Sequence, residues 1–370
     1  MKIQAAVFRR PHQPFSIETL ELAPPRADEV LVKVAAAGVC HSDWHLMTGA
    51  SRHPTPVVPG HEGAGVVVRV GEGVRDLQPG DHVALNWSPA CGSCFYCDRG
   101  RPSLCSTFVD RIWAGVLLDG ETRLSRGAET VYHFSSLACF ADHTVVPKQS
   151  CVKMDRDIPM QVAALIGCAV TTGVGAVLNT ARVEAGSSIA VFGAGGVGLS
   201  VVLGARLAGA ARIIAVDRVP AKLKTARALG ATDVVVADAN ANDRIRAWTE
   251  GRGADYVFEA VGIPEVQQQC LDAARPGGMV VLAGLAPMGS QTNLSGALIT
   301  RQEKTVCGSY YGSADTQRDF PRYAALYKQG KLDLDGLISK TYSLEDINQA
   351  YADLIEGRLA RGLIVFDGVE

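Results

Sequence analysis

The stretch "SSIAVFGAGGVGLSVVLGARLAGAARIIAVD", residues 187–217, decides how much of this chain folds. An apolar run enters a glycine-rich turn, a helical pattern follows, and a second apolar run ends at Asp217. Gly193, Gly195 and Gly198 fit the spacing G-x-G-x-x-G. The first allows a tight turn, the second lets a pyrophosphate approach the backbone, and the third lets helix pack on strand. Gly196 and Val197 complete the turn at a helix N-terminus, whose free N–H groups and dipole favour phosphate. Asp217 stands 19 residues past Gly198, where a carboxylate can bind both ribose hydroxyls and repel a 2′-phosphate. The expected coenzyme is therefore NAD rather than NADP, with Arg218 the one neighbour that softens the preference.

Outward from this unit, strand and helix patterns alternate over 188–192, 197–208, 211–216, 220–229, 233–237, 241–250, 255–261, 264–274 and 279–283. Such alternation predicts an α/β fold, a doubly wound parallel sheet with helices on both faces. Residues 1 to about 169 read differently, as short alternating strands such as "LVKV", "GVVVRV" and "HVAL". The tail from 311 carries two helical stretches, "FPRYAALYKQG" and "LEDINQAYADLIEG", and a last strand "GLIVF". A length of 370 residues suits two domains better than one core.

"PACGSCFYCDRGRPSLC", residues 89–105, holds Cys91, Cys94, Cys97 and Cys105 in the spacing C-x2-C-x2-C-x7-C. Cysteines three apart in a turn-rich loop point thiolates at one centre more readily than they pair as disulfides. An iron–sulfur cluster competes, but the fourth cysteine comes seven residues on and is followed by Ser106 rather than proline. Four thiolates leave zinc no open position, so such a site is structural.

A second set of donors is scattered. "AAAGVCHSDWHLMTG" carries Cys40, Ser42, Asp43 and His45; "VVPGHEGAGVVVRVGEGV" carries His61 and Glu62; "AALIGCAVTTGVGAV" carries Cys168. Each has a plain reading as well, Cys168 as a small buried hydrophobe and His61 as a core histidine. Three ligands of the Cys, His, Cys type would leave zinc one position for water or an alcohol oxygen.

Composition excludes several classes. Apolar residues are 47% and charged residues 20%, and the net charge of −2 provides no basic field for nucleic acid or an anionic membrane. No apolar run reaches the ~20 residues needed to span a bilayer. The opening "MKIQAAVFRRPHQPFSIETL" lacks a secretory pattern, so a cytoplasmic location is expected, where ten cysteines act as ligands, catalysts or core fillers.

Taken together, "GVCHSDWH", "GHEGAGVV", the four-cysteine lobe, "GCAVTTGVGAV", "GAGGVGLS", "VDRVPAKLKTARALGATD" and "RLARGLIVF" resemble the zinc-dependent medium-chain alcohol dehydrogenases, essentially end to end. The insert "LLDGETRLSRGAETVYHFSSLACFADHTVV" resembles the long-insert branch, which includes animal and plant alcohol dehydrogenases and thiol-dependent formaldehyde dehydrogenases. "ALNWSPACGSC" and "RDFPRYAALYKQGKLDLD" are also similar to actinobacterial members that use mycothiol or artificial acceptors. The resemblance implies a GroES-like catalytic domain, 1–169 and 311–370, an inserted Rossmann domain, 170–310, and an active site between them. It implies two zinc ions per subunit. Cys40, His61 and Cys168 match the catalytic zinc ligands, and the four-cysteine lobe the structural site. Glu62 matches a carboxylate that can approach the metal, and Asp43 the carboxylate that orients the ligand histidine. Ser42 and His45 match a proton relay. His41, Thr172, Lys222 and Arg361 match coenzyme contacts, and Trp87, Phe134 and Tyr310 fall where the family lines its substrate pocket.

The activity so implied is NAD-dependent oxidation of a primary alcohol, aryl and longer-chain alcohols included, or the reverse reduction. The alternative is oxidation of an S-hydroxymethyl adduct of mycothiol or glutathione. In the glutathione branch an acid follows the relay position and an arginine lies beyond the zinc lobe. Here Ser51 and Arg52 fill the first region and Val109 the second, with Arg111 two residues on. A non-catalytic nucleotide-binding relative would lack the Cys40, His61, Cys168 set. Cys139, Cys151, Cys270 and Cys307 are expected to pack inside, and a homodimer is expected through "GGMVVLAG" and "KTVCGSY".

Overall fold

The computed structural model describes residues 1–368. Its six-stranded sheet is parallel throughout, and the strands lie in the order Asp233–Val236, Arg212–Asp217, Ser188–Phe192, Ala254–Glu259, Ala274–Leu282 and Thr305–Gly308. The chain starts at the middle strand Ser188–Phe192, winds outward to one side, then returns and winds to the other. The order reverses beside that first strand, and in such sheets a crevice opens at the strand C-termini there. Helices Gly196–Leu207, Pro220–Ala228, Ala241–Trp248 and Pro264–Ala273 connect the strands as the alternating pattern predicts. The strand expected at 279–283 begins earlier, at Ala274. Pro276, Gly277 and Gly278 form a bulge between the pairings Ala254–Ala274 and Tyr256–Met279, and so continue the strand.

The other half is built on the long strand Glu29–Val39, buried along nearly its whole length because it has partners on both edges. It pairs antiparallel with Gly63–Val70, with His143–Pro147 and, at its far end, with the tail strand Arg361–Val365. The register sets Gly362 opposite Val39, so the start of the last strand lies beside Cys40. A further tail strand, Ile338–Tyr342, was not legible in the sequence, since only Ile338 and Tyr342 are even partly covered. A second sheet orders Lys2–Val7, Ser16–Leu22, Leu124–Arg126, Glu129–His133 and Val57–Val58, placing the insert against the N-terminus.

One continuous helical segment, Met160–Ala181, joins the two halves. It is 22 residues long with a mean hydropathy of 1.8 over its most apolar window, 89% of which is buried inside the fold. It meets the length and hydropathy of a membrane span, so the expectation that no apolar run reaches that length is corrected. Gln161, Thr171, Thr172, Asn179 and Thr180 interrupt its apolar sequence, and its burial is that of a core helix. The boundary expected at 169/170 falls inside this helix. One apolar cluster runs from Ala35 and Ala36 through Val162, Leu165 and Val174 to Ile189 and Leu199, so the two halves share a core.

Candidate active site

Strand Glu29–Val39 ends directly at Cys40, which begins the short helix His41–Met47. His61 follows Gly60 (φ +89°) and precedes strand Gly63–Val70. Cys168 sits in a widened π-type turn, Ile166–Val170, of the joining helix. Such turns cluster at functional sites, and here the Thr171 hydroxyl donates to the Ile166 carbonyl at 2.6 Å. The donor atoms of Cys40, His61 and Cys168 all lie within 4.8 Å of one another, and all three residues are buried. Cys168 Sγ is 3.4 Å from His61 Nε2. On the opposite side of the ring, Nδ1 lies 3.2 Å from Oδ2 of Asp43, and Oδ1 of Asp43 accepts the Gly60 N–H at 2.9 Å. Nε2 is therefore turned toward the sulfurs. A hydrogen bond from Cys168 holds the Cys40 thiol well below its ordinary range, and burial opposes that shift. Two sulfurs and one nitrogen, converging in a dry site with a carboxylate orienting the ring, fit a divalent metal of the zinc type.

Glu62 lies behind this set. Its carboxylate is fully buried, pairs with the equally buried Arg361 and accepts the Ala169 N–H at 3.1 Å. Burial is the largest influence on Glu62 and pushes its pKa up to about 7 against the pull of Arg361. Gly38, which carried no signal in the sequence, makes room for it: a Cβ there would stand 2.2 Å from Oε2 of Glu62.

The three donors open on a cleft of about 2110 Å³. His41, Ser42 and His45 line it from the helix that Cys40 begins, and Trp87, Phe134 and Tyr310 line its apolar part. The Trp87 ring stands 5.3 Å from Tyr310 and 6.2 Å from His61, and Phe134 stands 5.6 Å from His61. Burial lowers the pKa of both His41 and His45, which favours neutral rings. Trp113, Leu104 and Arg101, on or next to the four-cysteine lobe, also reach the cleft and were not foreseen. Trp113 sits in a helix with one polar face, Ser106–Ala114, and no spacing rule marks it. Arg111 lies beside Gly120 and does not line the cleft.

The facing wall is the glycine loop. Gly193 has φ +98°, and a Cβ on Gly198 would fall 1.7 Å from the Gly193 carbonyl oxygen, so helix and strand meet in backbone contact there. A Cβ on Gly195 would meet nothing within 4 Å, which leaves the approach to the helix N-terminus open. Gly195, Gly196, Val197, Thr172, Lys222 and Arg361 all line the cleft, while Gly198 lies behind the loop. Asp217 lines it too, and its two oxygens accept the Ala194 and Val219 N–H groups at 2.7 and 2.8 Å, so it also braces the turn. The cradle fits a dinucleotide.

The sulfurs of Cys91, Cys94, Cys97 and Cys105 lie within 4.8 Å of one another, on a small lobe packed over Phe108 and Ile112. Main-chain hydrogen bonding lowers Cys94 to about 5, while burial raises Cys97 to about 12. Of the remaining cysteines, Cys139, Cys151 and Cys270 are buried as expected. Cys307 is only half-buried, because its strand Thr305–Gly308 is the sheet edge, and it lines the cleft.

Comparison with known proteins agrees with this geometry. Residues 26–156 match the alcohol dehydrogenase GroES-like domain, and residues 196–329 match the zinc-binding dehydrogenase family. The chain is 41% identical to an NDMA-dependent alcohol dehydrogenase of Amycolatopsis methanolica, covering 99% of each chain. It is 39% identical to an S-(hydroxymethyl)glutathione dehydrogenase of Escherichia coli, covering 98% of this chain and 100% of that one. Benzyl alcohol dehydrogenase from Acinetobacter calcoaceticus superposes with a TM-score of 0.93 at 34% identity, covering 99% of each chain. With both domain models matched in order and full-length relatives above 30% identity, this chain belongs to the zinc-binding alcohol dehydrogenase family of oxidoreductases.

Proposed function

We propose that this chain oxidises primary alcohols, aryl and longer-chain ones included, to aldehydes with NAD, or runs the reverse reduction. The observation that carries this reading is the convergence of Cys40, His61 and Cys168 in a cleft whose other wall is the glycine loop. Those three residues would hold a zinc ion, and the four-cysteine lobe a second. Bound zinc supplies Lewis-acid polarisation of an oxygen at its open position. Bound NAD supplies the hydride acceptor, with Gly195, Gly196 and Val197 at its pyrophosphate and Asp217 at its ribose. Asp43 orients the His61 ring. The Ser42 hydroxyl takes the proton from the substrate oxygen, and His45, kept neutral by burial, passes it to solvent. Trp87, Phe134, Tyr310 and Trp113 exclude water and favour a flat or extended apolar substituent.

The division into a GroES-like part, 1–169 and 311–370, and a Rossmann part, 170–310, belongs to the same proposal, as do a cytoplasmic location and a homodimer. The dimer would extend the parallel sheet through its edge strand Thr305–Gly308. A second reading, oxidation of an S-hydroxymethyl thiol adduct, is supported by the resemblance to the E. coli relative. The test joins elemental analysis to a steady-state panel of primary, aryl and secondary alcohols, with and without formaldehyde plus mycothiol or glutathione. We expect about two zinc ions per chain and the highest kcat/KM on aryl or long primary alcohols. One zinc per chain refutes the metal assignment, and turnover restricted to the thiol adducts favours the second reading.

A further inference from the structure

Asp43 holds more than one partner. Its Oδ1 accepts the Gly60 N–H at 2.9 Å and lies 3.3 Å from His61 Nδ1. Its Oδ2, though 3.2 Å from the same nitrogen, has no aligned hydrogen-bond partner, and the residue has no solvent exposure at all. A second buried polar atom shares this predicament. Tyr351, on the tail helix Ile347–Ile355, is 1% exposed, and its hydroxyl also lacks an aligned partner. Its ring is fixed edge-on against Phe15 at 5.1 Å and Phe140 at 6.2 Å, so it has little freedom to swing elsewhere. Burial and then the charge of Asp43 keep the phenol protonated. Phe140 packs directly on Gly60, whose N–H Asp43 accepts, so Tyr351 and Asp43 flank one buried turn without being hydrogen-bonded to each other. A buried donor and a buried acceptor that each lack a partner, side by side, are complementary.

We propose that Tyr351 is a positioning residue: its hydroxyl donates to Oδ2 of Asp43, fixes the carboxylate that orients His61, and so ties the C-terminal tail helix to the metal-binding set. The inference deepens the reading of Cys40, His61 and Cys168 as a zinc site and rests on it. A carboxylate hydrogen-bonded on both oxygens holds the imidazole more firmly, and loss of such outer partners typically weakens metal binding ~10–100-fold. The chain thereby makes metal retention depend on whether its last helix is docked.

The test measures zinc release to a chromogenic chelator from full-length, zinc-loaded protein. The four-cysteine lobe serves as an internal control in the same molecule. Tyr351→Phe keeps the ring and removes one oxygen. It should release zinc from the three-ligand site about tenfold faster, leave the four-cysteine phase unchanged, and shift the visible bands of cobalt substituted at the three-ligand site. Tyr342→Phe removes a hydroxyl that donates to Asp353 at 2.6 Å in the same tail. It should lower the melting temperature without quickening release. Tyr351→Met provides a second hydroxyl-free variant should the phenylalanine protein not fold. Two zinc ions in the wild type with Tyr351→Phe release within twofold of it overturn the proposal. Equal acceleration by Tyr342→Phe overturns it as well, since loosening of the tail would then suffice. A single zinc in the wild type overturns the underlying site assignment instead.

Discussion

Replacing two glycines of one loop by alanine should separate packing from coenzyme binding. At Gly198 the added Cβ would lie 1.7 Å from the Gly193 carbonyl oxygen, about half a normal contact, and 3.5 Å from Val191 Cγ1. The obstacle is backbone and cannot rotate away. Gly193 is itself pinned by its φ of +98° and by an N–H bond of 2.8 Å to the Val216 carbonyl. Helix Gly196–Leu207 must therefore shift by more than 1 Å, by the arithmetic of about 3.2 Å for an ordinary contact against the built one. Overpacking of this kind costs ~1–3 kcal/mol, and the better helix propensity of alanine returns ~1 kcal/mol. We take a net loss of ~2 kcal/mol, near the upper end because the clash is severe, or a fall of about 2–3 °C in the melting temperature of a chain this long. At Gly195 the Cβ meets nothing, so the coenzyme-free protein should melt within a degree or two of wild type. That Cβ instead occupies the approach to the helix N-terminus, and a displaced pyrophosphate should weaken NAD binding about 100-fold. The assay is differential scanning fluorimetry of coenzyme-free protein paired with NADH fluorescence titration. Gly195→Ala binding within threefold of wild type would refute the loop as the phosphate site. An unchanged melting temperature for Gly198→Ala would refute the packing argument.

Three other predictions follow from the same geometry. Asp217→Asn removes the charge facing a 2′-phosphate, so the NADP-to-NAD ratio of kcat/KM should rise at least ~30-fold, the equivalent of ~2 kcal/mol of lost repulsion; an unchanged ratio excludes Asp217 from discrimination. His45→Gln should slow turnover near neutral pH by about tenfold and recover in part as pH rises, whereas a flat, unchanged pH profile removes His45 from the relay. His133 is fully buried, accepts the Arg123 N–H at 3.2 Å and has its pKa pushed down to about 3 by burial. Since the unfolded chain takes up this proton near pH 6.5 and the folded one does not, stability is complete above that pH and is lost as pH falls toward 3. Between pH 7 and 5 the loss is about 2 kcal/mol; urea unfolding of His133→Gln should lack that part of the acid dependence, and an identical dependence would clear His133 of the effect.

What the sequence determined by itself was whatever depends on neighbours along the chain. The strand, glycine turn, helix and terminal Asp217 all fall within 31 residues, and four cysteines fall within fifteen, so spacing alone exposes their chemistry. The alternation of strands and helices forces a parallel sheet because each crossover must pack back onto it. The strand at Ile338–Tyr342 escaped notice because solvent on most of its length leaves no alternating pattern. The widened turn that carries Cys168 escaped because a helix with a π-type turn has the composition of any buried helix. Tertiary structure alone decided the site. It brought Cys40, His61 and Cys168 together across up to 128 positions, and it placed Arg361 against Glu62 by zipping the last strand onto Glu29–Val39. It also put Trp113 and Leu104, beside the cysteine lobe, into the wall of the cleft and packed Tyr351 of the tail helix against Phe15 and Phe140. These contacts join segments with no local signal in common. They exist because strand register and shared burial, both long-range, hold the segments in place.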